Sequence, residues 1–268
     1  MSHSQRLAEL QPWVECARSF SGWDHSSLDI RNLDGPLPWD YQAVARALAS
    51  AASRVLDLGT GGGERFSEVA AGSHARFVAT EEWGVNARVA GKRLSPAGIG
   101  LAWCSSLALP FAFRSFDLVL SRHEAIDPGE VDRVLAAGGT LLTQQVTPGS
   151  WPELRPFFPR MTVFPDHRTE YPAAFRAKGY TVDAREHGSR VAFGSLGDLV
   201  FILLTAPWTI PGFDPESDIE ALLALETAHG TTSGIVLTEG HYLLSAVKPA
   251  PTAPGLATPA TGRPSVNP

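Results

Sequence analysis

Val55-Leu56-Asp57-Leu58-Gly59-Thr60-Gly61-Gly62-Gly63-Glu64 is the stretch whose reading decides the fold. A short apolar strand ends on a carboxylate and a glycine-rich turn, and a helix starts on the far side. Glycine has no Cβ, so such a turn can take positive φ and let a ligand approach the backbone closely. The helix N-terminus behind it favours negative charge. Gly59 and Gly61 match the first two glycines of the G-x-G-x-x-G dinucleotide fingerprint, whereas Glu64 stands where the third glycine or an alanine belongs. The same turn also serves plain strand–helix packing, so the loop alone leaves both readings open.

Outward from this turn, short apolar strands alternate with helices. Strands are expected at Arg54–Leu58, Arg76–Thr80, Gly100–Trp103, Phe116–Ser121 and Gly139–Gln145, with helices at Glu64–Ala71, Asn86–Leu94 and Pro128–Leu135. That alternation predicts βαβ units and a parallel sheet. Before it, Leu7, Leu10, Val14 and Ala17 fall at helical spacing, Ser21 to Gly35 reads as a polar loop, and Asp40 caps a helix running to Ala52. After Gly149 comes a segment rich in proline and aromatics. The chain then continues as helix Tyr171–Lys178, strand Tyr180–Glu186, helices Gly194–Ala206 and Pro215–His229, and a last strand Tyr242–Val247. The Pro-, Ala- and Thr-rich tail from Pro249 has almost no large apolar residue and is expected to be disordered.

Phe77-Val78-Ala79-Thr80-Glu81 places a second carboxylate at the end of the next strand, 24 positions after Asp57. An acid there can accept ribose hydroxyls of a bound nucleoside, although a solvated strand end would look the same. Two further elements follow: Leu109-Pro110-Phe111 leading into Ser115-Phe116-Asp117-Leu118-Val119-Leu120, and Arg133-Val134-Leu135-Ala136-Ala137-Gly138-Gly139-Thr140-Leu141-Leu142.

In this order and spacing the four elements resemble the class I S-adenosylmethionine-dependent methyltransferases, most nearly the group related to the ubiquinone/menaquinone C-methyltransferases (type 11 domain). The likeness covers roughly residues 38–147. It implies a Rossmann-like seven-stranded, mostly parallel sheet with helices on both faces and the last strand antiparallel. Residues 1–52 would form a helical lid, 53–248 the methyltransferase domain with 153–190 in the acceptor pocket, and 249–268 a disordered tail. S-adenosyl-L-methionine would be the cofactor. Asp57, Gly59, Thr60 and Gly61 would lie by its methionine moiety, and Glu81 would hold the ribose with Glu82 beside it. Trp83 would flank the adenine. Ser105, followed by Ser106, stands where many relatives carry an acid facing the adenine amine, so a hydroxyl, backbone amides and apolar walls would hold the ring. Arg122 would complete the cofactor set.

Ser121-Arg122-His123-Glu124-Ala125-Ile126-Asp127 follows the fourth strand, where ligands of open α/β sheets sit. His123 and Glu124 are the candidate catalytic residues, since a histidine there can take a proton from an acceptor hydroxyl or amine. The plain alternative is that Arg122 pairs with a nearby acid, His123 makes a structural hydrogen bond and Glu124 caps a turn. Gln144 and Gln145 either orient an acceptor or satisfy strand-end groups. The aromatics Trp39, Tyr41, Trp151, Phe157, Phe158 and Phe164 either offer a cation–π wall to a sulfonium or simply cap the sheet. His25, His74, His167, His187, His229 and His241 show no metal-ligand spacing, so no metal is expected.

Composition narrows the function classes. The net charge is −6, with only three lysines (Lys92, Lys178 and Lys248) among 22 basic residues, which disfavours a nucleic-acid partner. Cys16 and Cys104 form no disulfide framework. No signal-peptide pattern opens the chain and its longest apolar run, Leu199 to Pro207, falls short of a membrane span. The expectation is a cytoplasmic enzyme that methylates a small molecule. Methylation of RNA or protein, and a non-catalytic cofactor-binding protein, stand as alternatives. A nicotinamide-dependent oxidoreductase is disfavoured by the missing third glycine. The oligomeric state is left open.

Overall fold

The computed structural model describes residues 2–250. Its N-terminal part runs α1 (His3–Ser19), β1 (Ile30–Asn32), α2 (Tyr41–Ala51), β2 (Arg54–Leu58), α3 (Glu64–Ala70), β3 (Arg76–Glu81) and α4 (Gly84–Leu94). The middle continues through β4 (Gly100–Trp103), β5 (Phe116–Arg122), α5 (Pro128–Val134), β6 (Leu135–Val146) and α6 (His167–Ala177). The last part holds β7 (Thr181–Phe193), α7 (Leu196–Thr205), α8 (Ile219–His229), β8 (Gly230–Thr231) and β9 (Gly234–Val247). Residues 251–268 of the expected tail lie outside the described residues.

One sheet holds all the strands, in the order β1-β7-β9-β6-β5-β2-β3-β4, with β8 paired to β9. β2 pairs in parallel with β3 and β5, β3 with β4, and β5 with β6. β9 runs antiparallel to both β6 and β7. The α/β sheet with one reversed final strand is therefore present. The sequence reading differs at the sheet's far side. β1 and β8 arise from stretches read as loop, and β7 and β9 are each longer than expected because they support one another from Thr181↔Val247 to Phe193↔Ile235. Gly188, Ser189, Glu239 and Gly240 sit inside that ladder; as poor strand formers they give no local signal, and only the distant partner makes them extended.

Side-chain periodicity accounts for the layers. Ala45, Ala49, Phe66 and Leu94 from α2, α3 and α4 pack on Val55, Phe77, Leu118 and Leu120. On the opposite face, Val131, Val134, Tyr171 and Phe175 from α5 and α6 pack on Leu56, Leu58, Val119 and Leu141. The parallel strands are thus covered on both faces, which is why they read as continuous apolar runs. A third cluster joins Leu10 and Val14 of α1 to α7, α8 and the far ends of β7 and β9. Helix α7 is buried from Leu196 to Leu203, and its one acid, Asp198, accepts from Ser195 Oγ at 2.6 Å. Asp40, Asp127 and Ser195 cap α2, α5 and α7 by accepting from backbone N–H groups.

Candidate functional site

The turn after β2 is built from three left-handed glycines, Gly59 (φ +65°), Gly61 (φ +61°) and Gly63 (φ +80°). A side chain at Gly59 would overlap Glu124, and one at Gly61 would overlap the Trp23 indole. Glu81, at the end of β3, clasps the turn: Oε2 accepts from the Gly61 N–H at 2.7 Å and Oε1 from the Trp83 N–H at 2.9 Å. A carboxylate has roughly four lone-pair sites, so both oxygens keep capacity for hydroxyl donors. Thr60 Oγ1 is buried beside the Asp57 carboxyl.

Three carboxylates meet around this turn. Asp57 is pushed up to about 7, first by burial and then by the neighbouring Glu81 and Glu124 charges. Glu81 and Glu124 are raised as well, each mainly by burial. Glu124 accepts from Ser106 Oγ at 2.6 Å. Anions crowded into a partly dehydrated bowl disfavour their own ionisation, and a bound cation relieves that penalty.

Beside the bowl, at the ends of β3 and β4, Trp83 and Trp103 are 48% and 71% exposed. Trp103 Nε1 donates to the Glu82 carbonyl at 2.8 Å, and the Glu82 charge helps to raise Glu81 and Glu124. The two serines divide their work: Ser106 faces Glu124, and Ser105 Oγ accepts from the Leu107 N–H at 3.3 Å.

On the other side of the turn lie Arg122 and His123, with His123 itself at φ +60°. The His123 N–H donates to the Gln144 carbonyl at 2.8 Å. Trp39 Nε1 donates to Gln144 Oε1 at 2.8 Å, and Gln144 Nε2 lies 3.4 Å from His123 Nε2. An indole N–H is donor-only, so it fixes the glutamine amide with its NH₂ toward the imidazole, and His123 Nε2 is then the acceptor. The contact is long, so it is a weak bond that another donor can displace. Desolvation within the cleft walls, then the Arg122 charge, hold His123 well below the usual histidine range, so the ring is neutral at pH 7. Gln145 Nε2 donates to the Glu124 carbonyl at 2.7 Å and holds that turn in place. Trp39 and Tyr41 are buried over the ends of β5 and β6, where Tyr41 Oη donates to the Ser121 carbonyl at 3.2 Å.

Asp57, Gly59, Thr60, Gly61, Glu81, Trp83, Ser106, Arg122, His123 and Glu124, chosen from the sequence, thus come to the carboxyl edge of adjacent parallel strands. Among the described residues, Arg122 has no ion pair; the charges it senses include Asp57 and Glu239. His187, Glu239 and His241, which sequence reasoning did not single out for this site, also stand here. His187 and His241 face each other across β7 and β9, Ser189 pairs with Glu239, and the His123 and His241 rings lie 5.5 Å apart. Their signal was hidden because residues 187–193 and 234–241 did not read as strand.

Comparison with solved structures places the fold. A candidate methyltransferase of Bacillus halodurans aligns over 78% of this chain and 99% of its own, at 15% identity and a TM-score of 0.58. A candidate sarcosine dimethylglycine methyltransferase of Galdieria sulphuraria aligns over 78% and 83%, at 16% identity and 0.50. The fold is that of the class I methyltransferases. The [4+2]-cyclase SpnF shares this methyltransferase fold over 90% of this chain and 93% of its own, at 16% identity and 0.55. By sequence the chain matches no family model and no curated protein. Among the described residues, no helix is long and apolar enough to cross a membrane.

Proposed function

We propose that this chain binds S-adenosyl-L-methionine and transfers its methyl group to a small molecule. The observation that carries the reading is the bowl of Asp57, Glu81 and Glu124 around left-handed glycines at the carboxyl edge of the sheet. The cofactor is a cationic nucleoside, and each part meets a suitable group. Glu81 would accept ribose hydroxyls, Trp83 and Trp103 would flank the base with Ser105 at its edge, and Asp57 with Thr60 would face the amino acid part. The sulfonium, when bound, supplies an already electrophilic methyl with a neutral thioether as leaving group.

The remaining work is alignment and exclusion of water. Gly59 and Gly61 permit close approach, Glu124 is held still by Ser106 and Gln145, and Trp39 and Tyr41 close the acceptor side. We assign His123 Nε2 as the atom that takes the acceptor's proton as the new bond to the methyl forms. His123→Ala should then lower turnover by about 10²–10⁴ with cofactor affinity unchanged. Normal turnover in a variant that binds cofactor normally leaves alignment as the whole mechanism.

Isothermal titration with S-adenosylmethionine and S-adenosylhomocysteine, followed by a labelled-methyl acceptor screen, tests the proposal. Binding without any methyl acceptor favours a non-catalytic role, and SpnF, named as a cyclase, is a reminder that one fold hosts several chemistries. The acidic charge balance argues against RNA as the acceptor.

A pH dependence follows from Asp57, which faces Glu81, Glu124, Arg122 and Tyr41 and whose carboxyl is held up to about 7. A raised carboxyl pKa contributes stability that is full at low pH and is lost as pH rises through about 7. Melting temperature without ligand should therefore fall across that window. The ammonium of the cofactor's amino acid part favours the ionised acid, so affinity for both S-adenosylmethionine and S-adenosylhomocysteine should grow between about pH 6 and about pH 8. An affinity independent of pH across that range removes Asp57 as the partner of that ammonium.

A further inference from the structure

The cleft is divided by charge. Its glycine-turn end is acidic, whereas the end between β5 and the β7–β9 ladder holds Arg122 without an ion pair among the described residues. The Arg122 charge reaches His123, Glu239 and His241 alike. The two histidines do not neutralise it, and Glu239 does so only in part. The two imidazoles are neutral, His241 being pushed down to about 4 by burial and then by Arg122, and burial holds Glu239 up to about 7. His241 Nε2 stands 4.0 Å from Glu239 Oε2, outside ordinary hydrogen-bond distance. His241 Nδ1 and, on the neighbouring strand, His187 Nε2 are buried with no hydrogen-bond partner.

Buried polar atoms are paired in most folded proteins, and a guanidinium in a cleft is a ready fork for a carboxylate. Here an exposed Arg122 without an ion pair among the described residues and two unpaired imidazole nitrogens, His187 Nε2 and His241 Nδ1, lie at the end of the cleft where an acceptor would meet the methyl group. His187, His241 and Glu239 do not converge as metal ligands among the described residues. The ring nitrogens of neutral imidazoles can donate to or accept from the polar groups of an organic ligand.

We propose that Arg122, His123, Glu239 and His241 form the acceptor subsite, and that its occupant is a small organic acid whose carboxylate pairs with Arg122. The assignment rests on the methyl-transfer reading and moves Arg122 from the cofactor to the acceptor. It also explains the opposite charge of the two ends: a cationic cofactor lies over the acids, an anionic acceptor against the arginine, and the two ligands attract across the transferring methyl.

Histidine-labelled protein, saturated with S-adenosylhomocysteine, is titrated with acetate and benzoate and with their neutral analogues acetamide and benzamide. The acids should shift the His123 and His241 ring resonances, with the amides weaker by at least about tenfold. In Arg122→Gln the response to acids should vanish while affinity for S-adenosylhomocysteine stays within about threefold of wild type. Equal binding of acids and amides, or no shift with either, overturns the proposal and leaves the cofactor reading intact. A loss of S-adenosylhomocysteine affinity in Arg122→Gln also overturns it, because the guanidinium then serves the cofactor. If wild type fails to bind S-adenosylhomocysteine, the cofactor reading falls, and the same titration of the free protein still decides the acid site.

Discussion

Gly61→Val should abolish measurable binding of S-adenosylmethionine. Two costs coincide at this position. The backbone stands at φ +61°, which a β-branched residue tolerates poorly, and the added side chain would overlap the Trp23 indole that packs on the turn. Holding a non-glycine residue in such a conformation costs about 1–3 kcal/mol before any clash, so the variant should also melt lower. The clash with Trp23 supplies a control, because it separates a glycine kept for the ligand from one kept for packing. Gly61→Val combined with Trp23→Ala removes that overlap and should recover part of the stability. If the glycine serves the cofactor, the double variant still fails to bind in calorimetric titration. Restored affinity in the double variant means that Gly61 accommodates Trp23 alone.

Glu81→Ala is expected to be the second large effect. The side chain joins β3 to the turn after β2 by accepting from the N–H groups of Gly61 and Trp83. Hydrogen bonds to a charged group contribute about 1.5–3 kcal/mol each. Losing the ribose contacts alone should weaken binding at least about tenfold, since 1.4 kcal/mol is one decade. The loosened turn adds to that loss. Glu81→Gln keeps one oxygen acceptor and should fall between wild type and alanine. Binding within about twofold of wild type in Glu81→Ala marks the residue as a strand end with no ligand role.

Much of this architecture is legible along the chain because the signals are local. Val55 to Glu64 carries its own strand, turn and helix start, and Asp40 its own helix cap. Glu81 and Trp83 follow directly from the next strand's end, since a parallel sheet brings consecutive carboxyl edges together. The roles of Gln144 and Gln145 are different. Which of them holds His123 and which holds the Glu124 turn depends on Trp39 and on strand pairing far away in sequence.

By itself, then, the sequence determined the α/β alternation, the glycine turn and the acids that surround it, because each depends on a few adjacent residues and on the period of one strand. Only the tertiary structure assembled the Arg122 end of the cleft. Trp23 reaches Gly61 from a stretch with no periodicity, and His187, Glu239 and His241 join His123 through a ladder whose members have weak strand preference. Their extended conformation is stabilised by a partner strand tens of residues away, and the isolation of the Arg122 charge is a property of the space between elements. Neither leaves a mark on local sequence, since both arise from long-range pairing and burial.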